Sequence, residues 1–289
     1  MSPPLLAVFV LIGCSPVFIW RSRSYTSFVM ESVDAKKTTV NESSHLHGKT
    51  NSSTHEKEPE RNTIWGTADC RQPLRNPILG VHDESRIFNV GFPKMGSSSL
   101  QKIFKKSGYY SRHHHCGRAG FCGQCIRQAI LAKRDPLVMC GNFTVWTQMD
   151  FHGSQLPIYP QIQYLQELYD MAPNSTFILP FRNVSKWVYS LSHWDAKGRA
   201  PNLRARFIWA EIPELNWTKT MGARDSHYEI LFCNHVRSIR KFVSERPSLS
   251  LVEIDIEDPN TGEYLKSIFQ RVNSAFWGNA NVNKKIHRW

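Results

Sequence analysis

The chain is short of acidic side chains: its 289 residues carry 24 Asp and Glu against 36 Lys and Arg, a net charge of +12. That imbalance favours an anionic partner, either a polymer or a small, highly charged ligand. Nucleic acid ranks lower, because the sequence has no zinc-finger spacing, no RNP motif and no dense Lys/Arg run. Internal repeats are also missing, so nothing suggests a repeat array. What is present is enough apolar material for a real core, 41% of residues with nine Trp and 16 Phe.

A long apolar run occurs at the N-terminus, from Leu5 to Trp20, somewhat short of the roughly 20 residues of a spanning helix and interrupted by Pro16. No basic stretch precedes it and no small-x-small cleavage site follows, so residues 1–24 read as a retained membrane anchor rather than a cleaved signal. Residues 25–64 are dominated by Ser, Thr, Asn, Glu, Lys and His, a composition that cannot bury enough surface to fold and is expected to form a disordered stem. A folded domain is expected over 65–289.

Arg21 and Arg23 after the apolar run would by themselves leave the bulk of the chain in the cytosol. Two features argue for the lumen. N-x-[ST] sequons begin at Asn41, Asn51, Asn142, Asn174, Asn183 and Asn216, and six of the seven cysteines lie outside the apolar run, as a disulfide-permissive compartment allows. The expectation is a type II single-pass protein of the Golgi membrane with a glycosylated, disulfide-bonded lumenal domain.

Residues 87–100, Ile-Phe-Asn-Val-Gly-Phe-Pro-Lys-Met-Gly-Ser-Ser-Ser-Leu, combine an apolar strand, a glycine-bounded loop with one lysine, three hydroxyls and a helix start. This is a cradle for phosphate. Gly91 and Gly96 let the backbone curl, the amides of Ser97, Ser98 and Ser99 fall at a helix N-terminus, and Lys94 adds a full charge. The Gly91-to-Gly96 spacing is that of a nucleoside-triphosphate P-loop, but Ser97 stands where that motif requires Lys.

The segment Gly91-Phe-Pro-Lys-Met-Gly-Ser-Ser-Ser-Leu100 resembles the 5′-phosphosulfate loop of sulfotransferases, G-x-P-K-x-G-[ST]-[ST]-[ST]-L. The family also implies an arginine closing a later strand and a serine about eight residues on, which hold the 3′-phosphate of the donor, 3′-phosphoadenosine 5′-phosphosulfate (PAPS). Phe177-Ile-Leu-Pro-Phe-Arg182 followed by Asn183-Val-Ser-Lys-Trp-Val-Tyr-Ser190 supplies both. The stretches Trp146–Asp150 and Tyr159–Ile162 further resemble an algal and invertebrate branch of carbohydrate sulfotransferases. The resemblance implies an α/β fold, a three-layer P-loop-like domain with a central parallel sheet flanked by helices. It also implies PAPS as donor, no required metal, and donor contacts from Lys94, Gly96, Ser97, Ser98, Ser99, Arg182 and Ser190.

Periodicity independently places strands at Ile87–Phe92, Leu137–Cys140, Phe177–Phe181 and Leu249–Ile256. Helices are expected at Ser98–Ser107, Pro160–Met171, Val184–Trp194, Ser226–Ser244 and Gly262–Ser274. Strands alternating with helices give a parallel sheet with the ligand at the strands' carboxyl ends. Arg112-His-His-His-Cys116 and Cys122-Gly-Gln-Cys125 raise a zinc site, but a second matching Cys pair is missing and disulfides among Cys70, Cys116, Cys122, Cys125, Cys140 and Cys233 are the simpler reading. The catalytic set is Lys94 with a base from His115 or His113, which a short strand at Tyr109–Ser111 would deliver, or from Asp150 and His152. The acceptor is expected to be a carbohydrate hydroxyl. The alternatives are an inactive, glycan-binding relative and a P-loop nucleotide phosphotransferase, the latter requiring magnesium chemistry.

Overall fold

The computed structural model describes residues 69–75, 85–153, 157–194, 203–210, 212, 225–278 and 280, all within the compact unit Glu56–Trp289. The expected anchor and stem lie outside the described residues. Among the described residues no helix is long and apolar enough to cross a membrane.

Five strands form one all-parallel sheet in the order β2-β3-β1-β4-β5: β1 (Ile87–Asn89), β2 (Ser111–His113), β3 (Val145–Gln148), β4 (Thr176–Phe181) and β5 (Ser250–Asp255). Nine α-helices occur among the described residues: α1 (Ser97–Lys106), α2 (Cys122–Leu131), α3 (Pro136–Cys140), α4 (Pro160–Gln163), α5 (Leu165–Met171), α6 (Val184–Ser192), α7 (Leu203–Trp209), α8 (Asp225–Ser244) and α9 (Thr261–Ile268).

Side-chain alternation along the strands builds two cores, one on each face. Ile87, Val145, Ile178, Val252 and Ile254 pack with Leu100, Ile103 and Phe104 of α1 and Leu265 of α9. Phe88, Trp146, Phe177, Leu179 and Leu251 pack on the other face with Trp187 and Leu191 of α6 and Phe232, Val236 and Ile239 of α8. The result is helix, sheet, helix: the expected three-layer α/β domain.

Three disulfides tie the periphery. Cys116–Cys122 braces the loop between β2 and α2, Cys125–Cys140 joins α2 to α3, and Cys70–Cys233 fastens the segment at Asp69–Arg75 to α8. Bonded in pairs, these cysteines are not thiolate ligands for zinc. Beside the last bridge, Arg240 donates from Nε and Nη2 to both Glu253 oxygens at 2.7 and 2.8 Å, and Leu74 N–H donates to Glu253 Oε2 at 2.6 Å.

The structure corrects several expected elements. Leu137–Cys140 is helical, because Asp135 caps the N–H groups of Leu137 and Val138 and Pro136 occupies the first turn. Val145–Gln148 is a strand and adjoins β1, while the short strand expected at Tyr109–Ser111 lies two residues later, at Ser111–His113. The helix expected over Pro160–Met171 breaks at Tyr164, which leaves helical geometry at φ −135° and ψ 34°. The last expected helix spans Thr261–Ile268 only.

Candidate active site

A cleft of about 1010 Å³ opens at the carboxyl ends of the strands. Connections leave β1 and β4 toward opposite sides of the sheet, so the crevice between their ends is a topological switch point. All five strand ends deliver lining residues: His113 from β2, Gln148 from β3, Lys94 from the loop after β1, Arg182 after β4, and Ile256 with Glu257 after β5.

The loop after β1 is fixed by donors from other elements. The carbonyls of Val90, Gly91, Pro93 and Lys94 accept from His235 Nε2 (2.7 Å), Gln161 Nε2 (3.2 Å), Trp187 Nε1 (2.9 Å) and Arg182 Nη1 (3.0 Å). With these acceptors engaged, the lining from Gly96 to Ser99 presents hydroxyls at the start of α1, whose first turn carries no acidic residue. Gly96 is required twice over. Its φ is +80°, and a Cβ there would sit 2.7 Å from Ile256 Cγ2. Lys94 also has positive φ, 70°, which holds its side chain on the cleft wall. Burial, and then the charge of Arg182, push the Lys94 ammonium below its usual range.

Arg182 follows β4 directly, and Asn183 caps α6 by accepting from Lys186 N–H at 3.1 Å. That helix carries Lys186, Tyr189 and Ser190 to the cleft wall. Lys94, Gly96, Ser97, Ser98, Ser99, Arg182 and Ser190 therefore line one cleft, though the two segments are far apart in the chain. The cleft also takes in Trp277 and Gly278 from the C-terminal segment.

The opposite wall is histidine-rich. His113 Nε2 lies 3.4 Å from Ser98 Oγ and its Nδ1 lies 3.4 Å from Thr147 Oγ1. Ser97 Oγ donates to Gln148 Oε1 at 3.3 Å, and Gln148 Nε2 lies 3.5 Å from His152 Nε2. Behind His152 sits Asp150, 1% exposed, its Oδ2 3.5 Å from Nε2. Burial governs these groups: it lowers His113 to about 4 and His152 to about 3, the latter helped by Arg206 and Lys94, and raises Asp150 to about 6. The His152–Asp150 contact is thus between a neutral imidazole and a carboxyl group, not a resting ion pair.

His115 lies elsewhere: it is exposed, pairs through its backbone with Phe121 and packs its ring on Phe121 at 4.3 Å. The neighbour that lines the cleft beside His113 is His114, whose Nδ1 lies 3.3 Å from Asp150 O. Sequence reasoning missed His114, Gln148, Lys186, Trp194 and Glu257 as lining residues. His114, Gln148 and Lys186 lie inside stretches that the sequence singles out, Arg112–Cys116, Trp146–Asp150 and Asn183–Ser190, whereas Trp194 and Glu257 left no local signal.

The chain matches no curated protein. A family model described as a sulfotransferase domain matches residues 86–273, a span that begins one residue before β1 and contains the cleft-lining segments after β1 and β4 and every strand of the sheet. With well over half of the chain inside that match, the protein belongs to the sulfotransferase domain family.

Proposed function

We propose that this protein transfers the sulfuryl group of PAPS to a hydroxyl on a carbohydrate acceptor. The observation that carries the reading is the meeting, at the adjacent ends of β1 and β4, of Lys94 and the Ser97–Ser99 helix start with Arg182 and Ser190. These residues suit a ligand with two phosphate groups. Ser97–Ser99 would hold the 5′-phosphate at the α1 N-terminus, and Arg182 with Ser190 the 3′-phosphate.

PAPS carries its sulfuryl group already activated by a phosphate leaving group. The acceptor oxygen attacks sulfur in line, a new S–O bond forms as the bond to the bridging oxygen breaks, and 3′-phosphoadenosine 5′-phosphate departs. Lys94 stabilises charge on the bridging oxygen. His152 takes the acceptor proton, being neutral, in the cleft and near enough to Lys94 for their charges to interact. Asp150 behind it then faces an imidazolium, which a carboxylate stabilises.

The reading extends to residues 1–24 as a membrane anchor, 25–64 as a stem and a catalytic domain in the Golgi lumen. Three disulfides and the sequons support that compartment.

Calorimetry with 3′-phosphoadenosine 5′-phosphate in the absence of magnesium tests the donor site. Micromolar binding by the wild type, lost in Arg182→Ala, is expected. No binding by folded wild type refutes the assignment, and retained binding of an acidic polysaccharide would then favour a glycan-binding protein.

A further inference from the structure

Neither Arg182, the cation assigned to the 3′-phosphate, nor its neighbour Lys186 is bare. Glu257 Oε2 lies 3.1 Å from Lys186 Nζ, and Glu257 Oε1 lies 3.6 Å from Arg182 Nε, which makes no hydrogen bond among the described residues. Glu257 and Asp258 are the acidic residues among those lining the cleft, and Glu257 sits on the two cations of its β4–α6 corner. The placement is built in. Ile256 N–H donates to Phe181 O at 3.0 Å, continuing the β4–β5 ladder, and Glu257 N–H donates to Asp255 Oδ1 at 2.8 Å. A turn fixed where it leaves β5 thus holds the carboxylate beside the residue that follows β4.

A carboxylate on these cations opposes an incoming phosphate. It does so conditionally, because its side chain is 31% exposed and that of Lys186 63% exposed, so both can swing toward solvent. A phosphate dianion offers more charge and more acceptor oxygens to Arg182 and Lys186 than one carboxylate does. A ligand without a phosphate at that corner offers nothing in exchange.

We propose that Glu257 is a resident anion at the 3′-phosphate corner, and that it and Lys186 make donor recognition an exchange of carboxylate for phosphate. The assignment rests on the donor reading above. Glu257 keeps Arg182 and Lys186 paired while the donor is absent, lowers affinity for every nucleotide that has to displace it, and leaves alone nucleotides that do not reach the corner. Lys186 becomes a donor-binding residue in addition to Arg182 and Ser190.

The test is calorimetric titration of the full chain, as wild type, Glu257→Gln, Lys186→Ala and the double variant, with 3′-phosphoadenosine 5′-phosphate and with adenosine 5′-phosphate. Melting temperatures of all four proteins check folding. Glu257→Gln is expected to tighten the bisphosphate by about fivefold, the scale of one partly exposed ion pair, with adenosine 5′-phosphate unchanged. Lys186→Ala is expected to weaken the bisphosphate and to shrink the gain from Glu257→Gln in the double variant. Equal bisphosphate affinity in wild type and Glu257→Gln overturns the exchange while leaving the donor site standing. Equal tightening of both nucleotides also overturns it, since the effect would then be general charge. No bisphosphate binding by folded wild type overturns the donor reading and this inference together.

Discussion

In the proposed reaction Lys94 and His152 act from two walls of the cleft, and their environments differ in the way those tasks require. Lys94 is partly buried beside Arg182, so its charge is less shielded by water and acts more strongly on a leaving oxygen. Lys94→Ala is expected to lower kcat by about 100-fold or more, the scale of losing one electrostatic contact to a developing charge, in a steady-state assay with PAPS. His152 is kept neutral down to about pH 3, so imidazole protonation does not limit the resting enzyme near neutrality. Asp150 sets the acid limb instead. Its raised value, about 6, means that the carboxylate needed behind an imidazolium forms only as pH rises through that region. Turnover should therefore climb between pH 5 and pH 7, and Asp150→Asn should be slower and lose that step. A variant that keeps the step would remove Asp150 from the mechanism. His113 and His152 were readable as candidates from sequence, whereas their placement on one cleft was not. It depends on β2 pairing with β3 through an irregularity between Arg112 and His113 that shifts the register, and no local pattern announces such a shift.

At the scale of elements, short pieces were decided by their ends. The run Leu137–Cys140 is apolar enough for a buried strand, yet Asp135-Pro136 starts a helix there, and the cap outweighs the apolar pattern. Asp135→Ala should accordingly cost about 1 kcal/mol in urea unfolding, with nucleotide affinity unchanged, because α3 lies outside the cleft lining. The loop after β1 behaves in the opposite way. Gly96 is left-handed and a Cβ there would meet Ile256, so Gly96→Ala strains the backbone at the site proposed for the 5′-phosphate. It should reduce affinity for 3′-phosphoadenosine 5′-phosphate at least tenfold with a smaller loss of stability, as read by calorimetry beside a melting curve. This loop was legible in sequence because its glycines, lysine and serines are contiguous, and the chemistry of such a turn is local. Helix α2 was not, since Cys122 and Cys125 read first as a metal or disulfide motif. In the structure its buried residues Cys122, Cys125, Ile126 and Ala129 form an ordinary helical stripe.

For the whole molecule, the buried imidazoles couple function to stability. His235 is buried beneath the loop after β1, where its Nε2 donates to Val90 O, and burial lowers it to about 4, close to His113 at about 4 and His152 at about 3. Each of these groups takes up its proton in the unfolded chain near the ordinary value of about 6.5 but resists it in the folded one. The unfolded state therefore binds more protons below that value, and folding stability drops as pH falls from about 6.5 toward 4. Asp150 acts with the opposite sign: folded, it holds its proton up to about 6, so it gains stability as pH falls through the interval between about 6 and 4. Three groups against one leave the histidines dominant. Each net proton is worth at most about 1.4 kcal/mol per pH unit, and urea midpoints at pH 7, 6 and 5 should decrease in that order. The Cys70–Cys233 bridge, which spans a sequence separation of 163, remains intact under these conditions and does not contribute to the slope. His235→Gln keeps a donor for Val90 O while removing the titrating group, so it should flatten the slope by about one proton. A flat profile in the wild type would show that the buried imidazoles do not titrate with folding, and an unchanged slope in His235→Gln would remove His235 from the account and leave the slope to His113 and His152.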